Sequence, residues 1–176
     1  KGMKVTGPNG HSIFLPAVGY RDGNDVLSTG ISGNYWSGSL NEDNGGNVWT
    51  LGFRNGGSHY WYYFGRYYGF QVRPVFVDTP NNDRGGHDVK QTVDLGLSVK
   101  WASCNVGAST PEGTGGYYAW GETEEKSKYD RDTYKYYADG KYTNIGSSIC
   151  GTQYDVAHVK WGEKWRMPML DELKEL

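Results

Sequence analysis

The chain lacks an excess of charge of either sign, a long apolar run, and any cysteine or histidine cluster spaced for a metal. Eighteen Lys and Arg stand against twenty Asp and Glu, a net charge of −2 with both signs mixed along the sequence. That balance leaves no electrostatic footprint for nucleic acid or for an anionic membrane. No apolar stretch approaches the roughly 20 residues that span a bilayer. No signal peptide stands at the start, yet Lys1 begins in mid-pattern, so a longer precursor carrying a leader or lipid anchor is allowed. Two cysteines, Cys104 and Cys150, neither prove nor exclude an oxidising compartment, and their pairing stays open. The G-x-S-x-G, P-loop and G-x-G-x-x-G patterns are missing as well. The four histidines, His11, His59, His87 and His158, show no i, i+4 zinc pairing, and His158 reads as structural.

Aliphatic residues are also scarce, and rings replace them. The hydrophobic fraction is 36%, yet aromatics make up 15%, with seven Trp and fifteen Tyr. A large ring buries on the order of 150–250 Å², so a core can be built from rings with few aliphatics. Twenty-seven glycines point to many tight turns. A disordered chain would not carry this many aromatics. The reading is an irregular, strand-and-loop-rich chain whose length favours one domain and allows two small ones.

Along the chain, Ser12–Leu15 is a compact apolar strand closed by Pro16. Val48–Phe53 alternates Val48, Thr50 and Gly52 against Trp49, Leu51 and Phe53, the pattern of a half-buried strand. Asn55-Gly56-Gly57 turns the chain into a second, aromatic strand over His59–Phe64, giving a hairpin. Gln71–Val77 is a further strand with Pro74 marking an edge or bulge. Residues Asp78–Gln91 are rich in turn formers and read as a linker between segments 1–77 and 92–176. Val93–Ala102 is strand-like, and Tyr117–Tyr142 is aromatic, charged and irregular. One short helix is capped by Thr152, carries Tyr154, Ala157 and Trp161 on a face, and stops at Gly162. A second begins near Pro168 with Leu170, Leu173 and Leu176 on one stripe; it stops in mid-pattern at Leu176, so the expectation is that the helix continues or that the next segment has been cut away.

Several motifs carry a family resemblance. Val93-Asp-Leu-Gly-Leu-Ser-Val-Lys-Trp-Ala-Ser-Cys-Asn-Val-Gly-Ala108, Tyr118-Ala-Trp-Gly-Glu122, Gly151-Thr-Gln-Tyr-Asp155 and Trp165-Arg-Met-Pro168 resemble the first half of the Fibrobacter succinogenes major paralogous domain. Ser12-Ile-Phe-Leu-Pro-Ala-Val-Gly-Tyr-Arg21, Tyr35-Trp-Ser37 and Tyr67-Tyr-Gly-Phe-Gln-Val-Arg-Pro-Val75 resemble its second half. In outline the motifs are also similar to formylglycine-generating enzymes and to variable proteins of diversity-generating retroelements. The resemblance implies an α+β, C-type-lectin-like fold of short antiparallel strands, two short helices and much irregular loop, with its halves in swapped order. Either the chain is one period of a tandem array, with halves belonging to neighbouring repeats or to a swapped copy, or it is a permuted single domain. Such folds pair their first and last strands, which implies Val93–Ala102 beside Gln71–Val77.

The enzyme branch of that wider fold uses cysteines in the half that corresponds to Lys1–Val77, which here has none, so catalysis is not expected. Glu122, Glu124 and Glu125 contain a possible acid–base pair for glycoside hydrolysis, but adjacent glutamates near Lys126 and Lys128 read as a solvated loop. No cofactor is expected, although Asp22, Asn24, Asp25 and Asp43 are weak calcium candidates because hard oxygens gather in turns. The aromatic run from His59 to Tyr68 puts rings on both faces of a strand, so Tyr60, Trp61, Tyr62 and Tyr67, beside Arg54 and Arg66, form a candidate ligand surface. In the retroelement relatives the segment corresponding to Asn34–Tyr68 contacts ligand, and this adds Tyr35, Trp36 and Trp49. Arg73 and Arg166 are expected to anchor hydrogen bonds instead. The expected function is a secreted or cell-surface, extracytoplasmic module for adhesion to a glycan or protein; a structural spacer is the alternative.

Overall fold

The computed structural model describes residues 1–55, 57–77 and 92–176. The expected linker, 78–91, His87 and Gly56 of the expected turn lie outside the described residues. What is described is α+β: antiparallel strands in several small sheets with two short helices. No helix in it is long and apolar enough to cross a membrane.

The chain opens with a hairpin of β1 (Gly2–Thr6) and β2 (Ser12–Pro16), paired from Gly2 opposite Pro16 to Thr6 opposite Ser12. Gly10 closes its turn at φ +87°, where a side chain would be strained. A second, smaller hairpin joins β3 (Tyr20–Asp22) to β4 (Asp25–Leu27).

The main sheet comprises β5 (Ser32–Leu40), β6 (Asn47–Arg54) and β7 (His59–Gly65), with β6 in the middle. The expected aromatic hairpin is therefore present as β6–β7, with Val48 opposite Phe64 and Phe53 opposite His59. The expected half-burial of Val48–Phe53 is corrected. Val48, Thr50, Leu51, Gly52 and Phe53 are all buried, because β6 is flanked on both edges and its two faces pack into separate core clusters. A period of two marks a strand, but it does not distinguish a central strand from a one-sided one.

A four-stranded sheet interleaves the early and late segments in the order β13 (Trp165–Arg166), β8 (Val75–Phe76), β10 (Lys100–Ala102), β9 (Thr92–Val93). Trp101 stands opposite Val75, and Arg166 takes Val75 on its other side. The implied adjacency of Val93–Ala102 and Gln71–Val77 is seen, but both strands are shorter than expected. Gln71 pairs instead with Tyr35 of β5, and Pro74, with no N–H to give, offers only its carbonyl to Ala102 N at 2.9 Å. Between β9 and β10 the chain turns where the Asp94 carboxylate accepts Gly96 N at 2.7 Å. The irregular stretch 117–142 holds only the short pair β11 (Tyr137–Ala138) and β12 (Lys141–Tyr142).

Helix α1 (Val156–Trp161) ends at Gly162, as expected, but its cap is Asp155 and not Thr152. The buried Asp155 carboxylate accepts from the N–H groups of Ala157 and His158, orphan donors a helix start leaves behind, and from those of Gly151 and Met167 outside the helix. The Thr152 hydroxyl is turned away, donating to the Ile149 carbonyl. Helix α2 (Leu170–Lys174) follows Pro168, with Leu173 buried and Leu170 and Leu176 half-buried.

Both segments fill the same core. Trp36, Val48, Phe70 and Val72 pack with Val106, Trp120, Ile149 and Met167 in one cluster. Leu15, Tyr35, Leu51 and Val75 pack with Leu95, Trp101 and Leu173 in another. Arg73 is the polar fastener between them, as expected. Its guanidinium donates to Asn105 Oδ1 at 2.9 Å, to the Ser103 carbonyl at 3.0 Å and to the Phe14 carbonyl at 2.8 Å. Arg166 pairs with Glu172, which also accepts Met169 N at the start of α2 at 2.7 Å.

Candidate functional site

The outer edge of the main sheet is a strand of rings. Among the described residues β7 has a ladder partner on one side only, β6. Four consecutive side chains on it stay accessible: Tyr60 is 36% exposed, Trp61 37%, Tyr62 51% and Tyr63 37%. Alternation sends Trp61 and Tyr63 to one face with Leu51 and Trp49, and Tyr60 and Tyr62 to the other with Gly52 and Thr50.

The rings hold one another in place. Trp49 meets Tyr63 edge-on at 5.6 Å, and His59 meets Trp61 edge-on at 5.1 Å. Tyr62 and Tyr63 turn toward each other at the strand's rim, parallel and 4.8 Å apart. Tyr60 lies across Gly52, occupying the space where any Cβ at position 52 would stand. Such pairs each contribute about 0.5–1.5 kcal/mol beyond buried area, so the exposed surface is preorganised.

The candidate residues divide under this geometry. Tyr60, Trp61 and Tyr62 form the exposed edge, with Trp49 half-buried beneath it and Arg54 exposed at the far end of β6. Tyr35 and Trp36 do not belong: they are 1% and 0% exposed, inside the core. Both faces of β5 are covered, and Tyr35 spends its hydroxyl on the Pro16 carbonyl. Tyr67 is half-buried beneath Arg131 and lies 4.6 Å from Tyr68, which Phe64 links to Tyr62 of the edge. Arg66, at 2% exposed, leaves the strand surface for the interior and is not part of this edge. The sequence-based set omitted Tyr63, although an unbroken Tyr-Trp-Tyr-Tyr run on an edge strand signals it.

Arg66 belongs to a different feature. It stands in the wall of a cleft of about 630 Å³ with Leu40, Glu42, Lys141, Tyr142, Asn144 and Ser147. Its guanidinium sits against the rings of Trp120 and Tyr142, at 5.0 and 5.3 Å, and donates to the Thr143 carbonyl at 2.8 Å. The cleft was invisible in sequence because its walls come from positions about a hundred residues apart.

The remaining candidates are engaged locally. Asp22 and Asp25 face each other across β3–β4, while Asp43 lies exposed in the β5–β6 loop. Among the described residues no three acidic, His or Cys side chains gather to hold a metal. Glu122 pairs with Lys126 at 3.0 Å, Glu124 pairs with Lys160 at 3.1 Å, and Glu125 accepts Tyr117 N. All three border an open hollow of about 550 Å³ with Tyr136 and Tyr154. Cys104 is buried and Cys150 half-buried, and neither is in a disulfide. Burial pushes the Cys150 thiol up, away from the thiolate form. His158 is half-buried on α1, where its N–H takes the Asp155 cap.

Compared with protein-family models, curated proteins and solved structures, the chain finds no match in any of the three.

Proposed function

We propose that the chain is a non-catalytic recognition module that binds a glycan or a protein through the aromatic edge formed by Tyr60, Trp61, Tyr62 and Tyr63. One observation carries the reading. A fold that hides Trp36, Trp101 and Trp120 completely leaves four adjacent rings on an edge strand accessible. Leaving apolar area in water forgoes roughly 25 cal/mol per Å², a cost recovered when a ligand covers it. Tyr and Trp also offer a large, stiff surface with a polar tip, which loses little conformational entropy on binding. A sugar ring can stack on them, and a protein loop can be anchored by them.

The family resemblance supports a C-type-lectin-like arrangement and an extracytoplasmic, secreted or cell-surface setting. The pairing of β10 with β8 is what that resemblance requires of swapped halves. The commitment of Glu122, Glu124 and Glu125 to cations or a backbone N–H supports a structural role for them.

The test is a binding screen over glycans and candidate proteins, run with the native chain and with Tyr60→Ala, Trp61→Ala and Tyr62→Ala combined. Recognition predicts a ligand that the native chain binds and the triple variant loses at unchanged thermal unfolding. Absence of any binder, or binding indifferent to the three substitutions, leaves a structural spacer as the better reading.

A further inference from the structure

We propose that the cleft around Arg66 is a subsite for the carboxylate of an acidic sugar, a uronic-acid residue. The proposal rests on the recognition reading and names its ligand class.

Three observations support it. The first is an arginine without an anion. Arg66 is 2% exposed, and among the described residues no carboxylate pairs with it. Its Nε has no hydrogen-bond partner, and its other side-chain bonds go to neutral oxygens, the Thr143 carbonyl and the Tyr134 hydroxyl. A buried charge is ordinarily paired and fully hydrogen-bonded, and an incompletely satisfied guanidinium gains from an incoming carboxylate. The planar fork matches two carboxylate oxygens better than any point charge does.

Second, the guanidinium is held rigidly. The rings of Trp120 and Tyr142 flank it at 5.0 and 5.3 Å, which fixes its plane before any ligand arrives. The Tyr134 hydroxyl also lies in its field, where Arg66 opposes the rise that burial imposes on that phenol.

Third, the cleft suits a sugar and not a bare anion. Its volume of about 630 Å³ falls within the usual size of small-ligand sites. Lys141 adds a second cation on the wall, while exposed Asn144 and Ser147 offer an amide and a hydroxyl to ring hydroxyls. Tyr142, which already packs on Arg66 and Tyr137, gives the wall an aromatic edge. Glu42, also in the lining, disfavours a second anionic group and accepts from hydroxyls, so one carboxylate on a polyol is the best complement. The cleft adjoins the end of β7, where Asn47 pairs with Gly65 and Trp49 pairs with Tyr63 two residues on. An oligosaccharide stacked along the aromatic edge can therefore place an acidic unit against Arg66.

The deciding experiment titrates the native chain with glucuronate, glucose and acetate separately, following binding by calorimetry and by backbone amide shifts. Glucuronate is expected to bind roughly tenfold or more tightly than either control, because only it offers both the charge and the hydroxyls. Arg66→Lys, which keeps the charge and loses the fork, is expected to abolish that preference. If that variant fails to fold, Lys141→Gln and Asn144→Ala, both on exposed positions, decide; each is expected to weaken glucuronate by roughly threefold or more. Equal binding of glucuronate and glucose, or of glucuronate and acetate, overturns the proposal, as does no binding of glucuronate. Neutral glycans that bind through Tyr60 to Tyr63 while glucuronate fails would sink this subsite and leave the recognition reading intact.

Discussion

Trp36 donates its indole N–H to the carbonyl of Tyr118 at 2.8 Å, across 82 residues of chain. Trp120 returns the exchange, donating to the Ser37 carbonyl at 3.1 Å. Each indole thus satisfies a buried backbone acceptor of the other segment, and both rings are wholly buried. Trp36→Ala should cost about 3–5 kcal/mol, the range for emptying a core ring site. Trp36→Phe keeps most of the ring, and the Tyr118 carbonyl still accepts from Phe70 N. It should cost only about 1–2 kcal/mol. Urea unfolding of both variants measures the difference, and a silent Trp36→Ala would contradict the shared core.

The Glu172 carboxylate makes an ion pair with Arg166 and caps α2 at Met169 N. Both side chains are mostly buried, and the ion pair holds the Arg166 guanidinium above its usual range. Glu172→Ala removes the cap and leaves a mostly buried cation unpaired. A loss of about 3 kcal/mol is expected. Glu172→Gln, which retains the cap in part, should lose less. Thermal unfolding of the two variants gives the order.

Alkaline pH should unfold the chain through its buried phenols. Burial raises Tyr35 and Tyr134 far above the ordinary tyrosine value, and it pushes Tyr118 up to about 12. A group whose affinity for its proton is higher folded than unfolded stabilises the fold fully below the unfolded pKa of about 10. That contribution is lost as pH rises through 10 toward 12. Urea midpoints should therefore fall steeply above pH about 10, with phenolate absorbance appearing in step with unfolding. Phenolate formation at constant midpoint would contradict the burial.

Gly52 and Tyr60 link the core to the candidate surface. A Cβ at position 52 meets the far end of the Tyr60 ring, and that ring is partly free to swing outward. Gly52→Ala should change stability by less than about 1 kcal/mol while displacing Tyr60 and weakening ligand binding. Comparing a binding titration with a melting curve on this one variant separates the two effects.

The sequence carried the hairpin β6–β7 because alternation and the Asn55–Gly57 turn are local signals. It carried the pairing of β10 with β8 only through resemblance, since contacts between Trp101 and Val75 leave no local trace. The resemblance misled at Tyr35 and Trp36. An aromatic in β5 looks the same in sequence as one in β7, and only sheet order decides which is covered. The same blindness applied to Arg66, whose environment is assembled from Trp120, Tyr142 and Thr143. Thr152 and Asp155 are both good caps by type; the four amides converging on Asp155 chose between them.

Indole N–H resonances provide the most direct test of recognition through β7, because the seven tryptophans sample core, edge and the far sheet. On adding a ligand found by screening, the Trp61 signal should shift most and the Trp49 signal next, while Trp36, Trp101 and Trp120 stay in place. Shifts confined to Trp161 and Trp165, or saturated binding that leaves Trp61 unmoved, would contradict a β7 binding edge.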